Sequence, residues 1–279
     1  MKCRWGYEER GGTGDENDNP NPQKILRHQG QLMIIKKMDS KQEEIAELTA
    51  LLRGRLMSSQ RFLIERELRA IRSGVSGERD SAYYIDFYFG DSKNWAVIHD
   101  LRLEHKGKVA QIDHLLINRF FDMYVLESKN YAYKLKITPD GEFQTYYGKE
   151  YVGIPSPIEQ NKRHIHLLGL FLKHHNILPK RVGISIRPRF KNLILVSPKS
   201  VITRPLKKKF DTGSVIKADT LRTRIDRELD RENPLANLAT LSKTCTSSTL
   251  MKTARTLAGF HQPIRVDFRT RFGVMTKGR

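Results

Sequence analysis

The spacing of apolar positions divides the chain into an early helical part, a run of strands and a mixed remainder. From Lys36 to Ser73 the apolar residues recur at helical intervals: Ile45, Leu48, Leu52 and Leu56, then Phe62, Leu63, Leu68 and Ile71 after Ser58-Ser59. That pattern predicts two short helices or one bent helix. Ser73-Gly74 and Ser76-Gly77 predict its end, with a new short helix from Gly77-Glu78. Strand-like runs follow at Trp95 to Leu103, Val109 to Asn118, Met123 to Ser128, Tyr133 to Ile137 and Glu142 to Tyr147. Thr138-Pro139-Asp140-Gly141 predicts a tight turn between the last two. Ser156-Pro157 supplies a cap and a first-turn proline for a helix reaching about His175. Strands at Asn192 to Ser197 and Val215 to Lys217 come next. Helices are predicted from Asp219, from Asn233-Pro234 and from Ser247 to about His261. The order suits an α/β sandwich around a mixed central sheet. Gly11 to Pro22 has breakers and no apolar face, which predicts a disordered leader over residues 1–35.

Composition narrows the class. The chain has 279 residues, enough to bury a core without staples, and two cysteines, Cys3 and Cys245, with no CxxC spacing. No apolar run is long enough for a membrane span, and Met1 to Pro22 does not resemble a secretory signal. These features predict a reducing, cytoplasmic setting and no membrane partner. The net charge of +19 predicts a polyanionic partner. It is unevenly placed: residues 1–73 hold 14 basic and 11 acidic side chains, residues 74–175 hold 13 of each, and residues 176–279 hold 23 against 7.

Candidate chemistry lies in the electroneutral third. Glu78, Ala82, Ile85 and Phe89 fall on one helical face, so a carboxylate ends an otherwise apolar stripe and needs a metal, a lysine or a cap as partner. Asp113 interrupts a strand between Ile112 and Leu115-Leu116-Ile117, where Asp is disfavoured. Period-two alternation places Val109, Gln111, Asp113, Leu115 and Ile117 on one face, with Ala110, Ile112, His114 and Leu116 on the other. In the next strand Val125, Glu127 and Lys129 share a face. An Asp followed 14 residues later by Glu-x-Lys, across a tight Asn118–Phe121 link, suits metal-assisted phosphodiester hydrolysis. Carboxylates offer hard oxygen ligands for Mg²⁺, and a lysine can hold the attacking water or balance charge on the phosphoryl group. The bland alternative is a buried Asp/Glu/Lys ion-pair network without metal.

Gly77-Glu78, Gln111-Ile112-Asp113-His114, Glu127-Ser128-Lys129-Asn130 and Ser156-Pro157-Ile158-Glu159-Gln160 together resemble the nuclease-related domain (NERD) of the PD-(D/E)xK nuclease-like superfamily. The resemblance covers residues 74–200. It implies a restriction-endonuclease-like α/β sandwich with a central mixed β-sheet flanked by helices. It also implies Mg²⁺-dependent DNA processing, with Mn²⁺ as a substitute. Residue by residue it assigns Glu78, Asp113, Glu127, Lys129 and Gln160 to the active site, with Glu78, Asp113 and Glu127 on the metal side. The family's asparagine before the proline is Ser156 here, which caps a helix equally well.

The basic end supplies candidate backbone contacts: Arg187, Arg189, Lys191, Lys207, Lys208, Lys209, Arg222, Arg224 and Arg227. No helix-turn-helix or RNA-recognition motif accompanies them, so sequence-independent binding to DNA phosphates is expected. His164, His166, His174 and His175 lack cysteine or HExxH company and predict a solvated or phosphate-facing helix rather than zinc. Residues 36–73 are a candidate segment for self-association or a protein partner. Residues 201–279 read as a basic, mostly helical extension. The leading function is a metal-dependent DNA nuclease. The alternatives are a nucleic-acid-binding module that retains the fold, or an interaction protein.

Overall fold

In a computed structural model, residues 33–131, 134–181, 184–231 and 244–274 are described. They form one compact unit from Met33 to Val274. Its centre is a six-stranded sheet with the order β1-β2-β3-β4-β10-β12. β2 (Trp95–His105), β3 (Lys108–Asn118) and β4 (Asp122–Lys129) make an antiparallel meander. β1 (Ile34–Lys36) runs parallel to β2, and β10 (Arg189–Val196) and β12 (Val215–Lys217) extend the other edge in parallel. β4 is central and buried on both faces, which explains its near-continuous apolar run.

Helices cover both faces. α1 (Gln42–Leu52) and α2 (Ser58–Phe89) precede the meander, and α3 (Pro157–His174), α4 (Leu221–Arg231), α5 (Ser247–Ala258) and α6 (Phe268–Arg271) follow it. One face packs Leu167, Leu168, Phe171 and Leu172 of α3 with Leu250, Met251, Ala254 and Leu257 of α5. The other packs Ile85 and Phe89 of α2 with Leu221 and Ile225 of α4. A second sheet, order β11-β5-β6-β7, combines β5 (Lys134–Ile137), β6 (Phe143–Tyr147) and β7 (Glu150–Ile154) with β11 (Val201–Thr203). A two-stranded ribbon, β8 (Lys180–Arg181) and β9 (Ile184–Ser185), leads into β10. The arrangement is the mixed, helix-flanked α/β sandwich expected from the sequence.

Several boundaries differ from that expectation. α2 does not stop at Ser73-Gly74 or Ser76-Gly77 but runs unbroken for 32 residues from Ser58 to Phe89. Each helical glycine costs about 1 kcal/mol relative to alanine, while Ile64 and Leu68 on one side of the glycines and Ala82, Ile85 and Phe89 on the other are buried and hold the helix through them. Gly77 is needed there: a Cβ would come within 2.6 Å of the Asn130 Cβ. Ile34–Lys36 is a strand rather than leader, with Met33 buried beside it; residues 1–32 lie outside the described set. The helix after Lys36 starts only at Gln42, and Ala218–Thr220 form a 3₁₀ turn before α4. The helix predicted from Asn233-Pro234 also falls outside the described residues.

The segment after residue 200 is no appendage, because β11 pairs with β5, β12 with β10, and α5 fills the main core. The apolar stripe of α1 is also satisfied within the chain. Leu48, Leu51, Ile64, Leu68 and Phe268 form a separate cluster, with Ile45, Leu52 and Leu56 against it. Phe62 and Leu63 of α2, from the same 36–73 segment, stay exposed.

Candidate active site

Three elements meet at the end of β4. β3 pairs with β4 from Ile117 opposite Met123 to His114 opposite Leu126; Asp113 and Glu127 come next along the two strands. There the Ser128 N–H donates to Asp113 Oδ2 at 2.7 Å. The alternation read from sequence slips at this point. Ala110 and Ile112 belong to the same core cluster as Leu115 and Ile117, not to the opposite face. β2 slips likewise between Ile98 and Leu101, with Asp100 at φ +50. Both strands therefore change phase where the acidic residues lie, so that an Asp sits in a strand without displacing an apolar neighbour from the core.

The sequence-derived residues Asp113, Glu127, Lys129 and Gln160 come together. Glu127 is buried, and its Oε1 accepts from Lys129 Nζ at 2.7 Å and Gln160 Nε2 at 2.8 Å. Lys129 also donates to Gln160 Oε1 at 3.3 Å. Gln160 is aimed by its helix: Ser156 Oγ accepts from the Glu159 N–H, and Pro157 opens the first turn. One turn on, buried Asn161 donates to Val125 O at 2.8 Å and to Asn192 Oδ1 at 2.8 Å, tying α3 to β4 and β10. Glu127 Oε2 is buried without a hydrogen-bond partner. His164 Nδ1, 3.6 Å away, is also buried and unpartnered.

Glu78 approaches from α2, close enough that its charge acts on Asp113. The glycine before it lets the helix close on Asn130. Its carboxyl is raised to about 7 by burial, then by the charges of Asp100 and Glu127, against the partial relief of Lys41 and Lys129. Burial, then Glu127 and Glu78, lifts Asp113 well above the usual range. Glu127 is raised too, because burial outweighs the attraction of Lys129. His164 is pushed down to about 4 by burial, then by Arg163 and Lys129, which keeps the imidazole neutral. The protein thus gathers carboxylates that disfavour their own ionisation, and it supplies too little positive charge to offset them.

The donor set suits a hard divalent cation, and the unpartnered Glu127 oxygen is an available ligand atom. Asp113 and Glu127 are the pair that would hold it. Among the described residues, the group of three or more potential metal ligands with all ligand atoms within 4.8 Å is elsewhere, at His105, His174 and His175. Glu78 is the third acid of the sequence assignment, and its charge acts on Asp113. It stands beside the pair.

Sequence reasoning missed several partners. Asp100, buried at the phase change of β2, accepts from Gln111 Nε2 at 3.2 Å and adds a fourth acid near Glu78. His114, Ser128, His99 and Asp86 form a chain: Ser128 Oγ to His114 Nε2 at 3.0 Å, His114 Nδ1 to His99 Nδ1 at 2.7 Å, and His99 Nε2 to Asp86 Oδ1 at 2.9 Å. Burial, then the neighbouring His99, holds His114 well below its ordinary pKa. The three contacts link Ser128, His114, His99 and Asp86 without a break. The only sequence signal was His114 directly after Asp113.

The basic candidates separate. β10 is parallel to β4, with Arg189 opposite Asp122 and Val196 opposite Lys129. Along β10, Arg189 and Lys191 consequently lie about 17 and about 10 Å from the level of Glu127 at strand rise, with Arg187 farther still. Arg189 is also committed to the buried Asp122 through Nε and Nη2, a structural pair rather than a phosphate contact. Arg222 pairs with Asp226 and Arg224 with Glu228, each one turn along α4. Lys207, Lys208 and Lys209 are exposed in the turn between β11 and β12. Phe210 just after them packs against Gly141, where the β5–β6 turn has φ +84.

No helix among the described residues is long and apolar enough to cross a membrane. Neither a curated protein nor a solved structure matches the chain. The family model for the nuclease-related domain matches residues 73–198, from Ser73 within α2 to just past the end of β10. That span contains Glu78, Asp113, Glu127, Lys129 and Gln160, so the similarity to the nuclease-related domain covers the whole candidate site.

Proposed function

We propose that this protein hydrolyses phosphodiester bonds of DNA with Mg²⁺, or Mn²⁺ in its place, at the Asp113–Glu127–Lys129 site. The observation carrying this reading is the state of Glu127: one oxygen is held by Lys129 and Gln160, while the other is buried and unpartnered beside Asp113. A structural ion pair would satisfy both oxygens. Bound at Asp113 and Glu127, the cation would polarise a phosphoryl oxygen and acidify a water. Lys129 balances negative charge developing on the phosphoryl group, and Gln160 fixes the ammonium against Glu127. Glu78, raised to about 7, is placed to accept or return a proton near neutral pH. Lys207 to Lys209 are free to meet backbone phosphates, with Arg222 and Arg224 able to exchange their exposed intrahelical partners for the same purpose.

The test is incubation of the full chain with plasmid, single-stranded and branched DNA in Mg²⁺, Mn²⁺ or EDTA. Cleavage that requires the metal and disappears in Asp113→Asn and Glu127→Gln supports the proposal. Salt-sensitive binding with no cleavage by the wild type under any metal would replace it with a non-catalytic nucleic-acid-binding role.

A further inference from the structure

The far end of α3 from the carboxylates carries a different polar cluster. β2 ends at His105, where Lys106 and Gly107, both at positive φ, reverse the chain into β3. α3 ends at His174, and His175 leaves the helix with φ −89 and ψ 5. The ring nitrogens of His105, His174 and His175 converge so that one from each lies within 4.8 Å of the others. Their ring centroids are 4.9 Å apart for His105 with His174 and 4.9 Å for His174 with His175. Phe171, one turn earlier, backs the group at 4.2 Å from His175, and Phe260 lies 4.6 Å from the same ring. The imidazoles are therefore brought together by two elements that meet only in the fold and are seated on an aromatic floor.

We infer that His105, His174 and His175 form a site for one borderline divalent transition metal, of the Zn²⁺, Ni²⁺ or Cu²⁺ class. Imidazole ligation favours these ions over Mg²⁺, whereas oxygen donors favour the reverse. Zinc–imidazole bonds of about 2.0–2.1 Å require nitrogens about 3.4 Å apart in a tetrahedron, which small ring rotations of the exposed His174 and His175 achieve. The fourth position stays open to water. The carbonyl end of α3 adds favourable negative potential for a cation. Gln160 and His174 are 14 residues apart on α3, which separates this site from the carboxylates by about 21 Å. A bound metal clamps the β2–β3 turn to the end of the helix that presents Gln160.

The experiment strips the full chain of metal and titrates Zn²⁺ in competition with a chromophoric chelator, with thermal unfolding recorded in parallel. The expected result is one equivalent bound at micromolar Kd or tighter. Tm should rise on the order of 5 °C at a hundredfold excess over Kd. His105→Ala and the double variant His174→Ala/His175→Ala should each weaken binding by about 100-fold or more. His166→Ala, on the exposed side of the same helix, and Asp113→Asn should retain it. Circular dichroism confirms that each variant is folded. Wild-type binding no tighter than that of the histidine variants would overturn the inference. Binding lost in Asp113→Asn but kept in His105→Ala would also overturn it, by moving the ion to the carboxylates.

Discussion

The two sides of β4 carry polar clusters of opposite character. On one side Ser128 enters a closed chain with His114, His99 and Asp86, in which each contact is a hydrogen bond of 3.0 Å or less. On the other side Glu127 and Lys129, one residue away in either direction, belong to a cluster that leaves a carboxylate oxygen and an imidazole nitrogen buried and unpartnered. The histidine chain gives each of its ring nitrogens a hydrogen-bond partner. The carboxylate cluster has more acids than cations and raises its own pKa values. Buried side chains occur in both, so burial alone does not distinguish the side proposed to be catalytic. Unspent interaction capacity does, because folding by itself selects against it.

If that contrast is right, mutations on the two sides should separate activity from stability. The largest effect is expected on cleavage: Asp113→Asn or Glu127→Gln should reduce metal-dependent turnover by about 10³-fold or more in a plasmid assay. The same Asp113→Asn should raise stability in metal-free buffer at pH 8, by about 1 kcal/mol in denaturant unfolding, because it removes a repelled buried charge. An Asp113→Asn variant that unfolded more readily than the wild type would show the cluster to be a structural network. On the opposite side, His114→Ala should cost about 2–4 kcal/mol, since it removes buried volume and strands Ser128 and His99.

The pH dependence sharpens the same comparison. A carboxyl whose pKa is raised by folding binds its proton more tightly in the folded state. Its contribution to stability is full below the unfolded value and lost as pH rises through the folded one. For Glu78 that window runs from the ordinary value of 4.5 to about 7. Metal-free protein should therefore lose stability as pH rises across this range, and Mg²⁺ should restore it at pH 8. A thermal-unfolding series across pH with and without Mg²⁺ measures both. A flat profile that Mg²⁺ leaves unchanged would contradict the acid-rich description.

Smaller effects concern positioning. Gln160→Ala should reduce turnover by about 10-fold with little change in KM, since Gln160 orients Lys129 and Glu127. Replacing Lys207, Lys208 and Lys209 together by alanine should lower the slope of log affinity against log salt by about 2–3. The same change at Arg189 should instead cost stability, by stranding buried Asp122.

Much of this site was legible because strand and helix periods are local. Glu127 and Lys129 share a face for the same reason that Val125 does, and Ser156-Pro157 starts α3 wherever the helix is placed. Asp113 betrayed itself by being an acid within an apolar strand. Asp100 did not, because nothing local announced that β2 would change phase opposite Asp113. The continuous α2 was misread for a related reason: Gly74 and Gly77 look like breaks locally, and only contact with Asn130 shows why a glycine is kept within a helix. Arg189 looked like every other arginine in a basic stretch until register placed it against Asp122.

The sequence by itself determined the class of the fold, the order of its elements and the residue types of the carboxylate site. It could do so because amphipathic periods, caps and turns are decided by neighbours in the chain. Only the tertiary structure decided which acids lose their solvent, which oxygen is left unpartnered, and which bases lie near them. It also joined His105 to His174 and His175 across 69 residues of chain. Desolvation and convergence depend on how distant segments pack, and no local pattern records them.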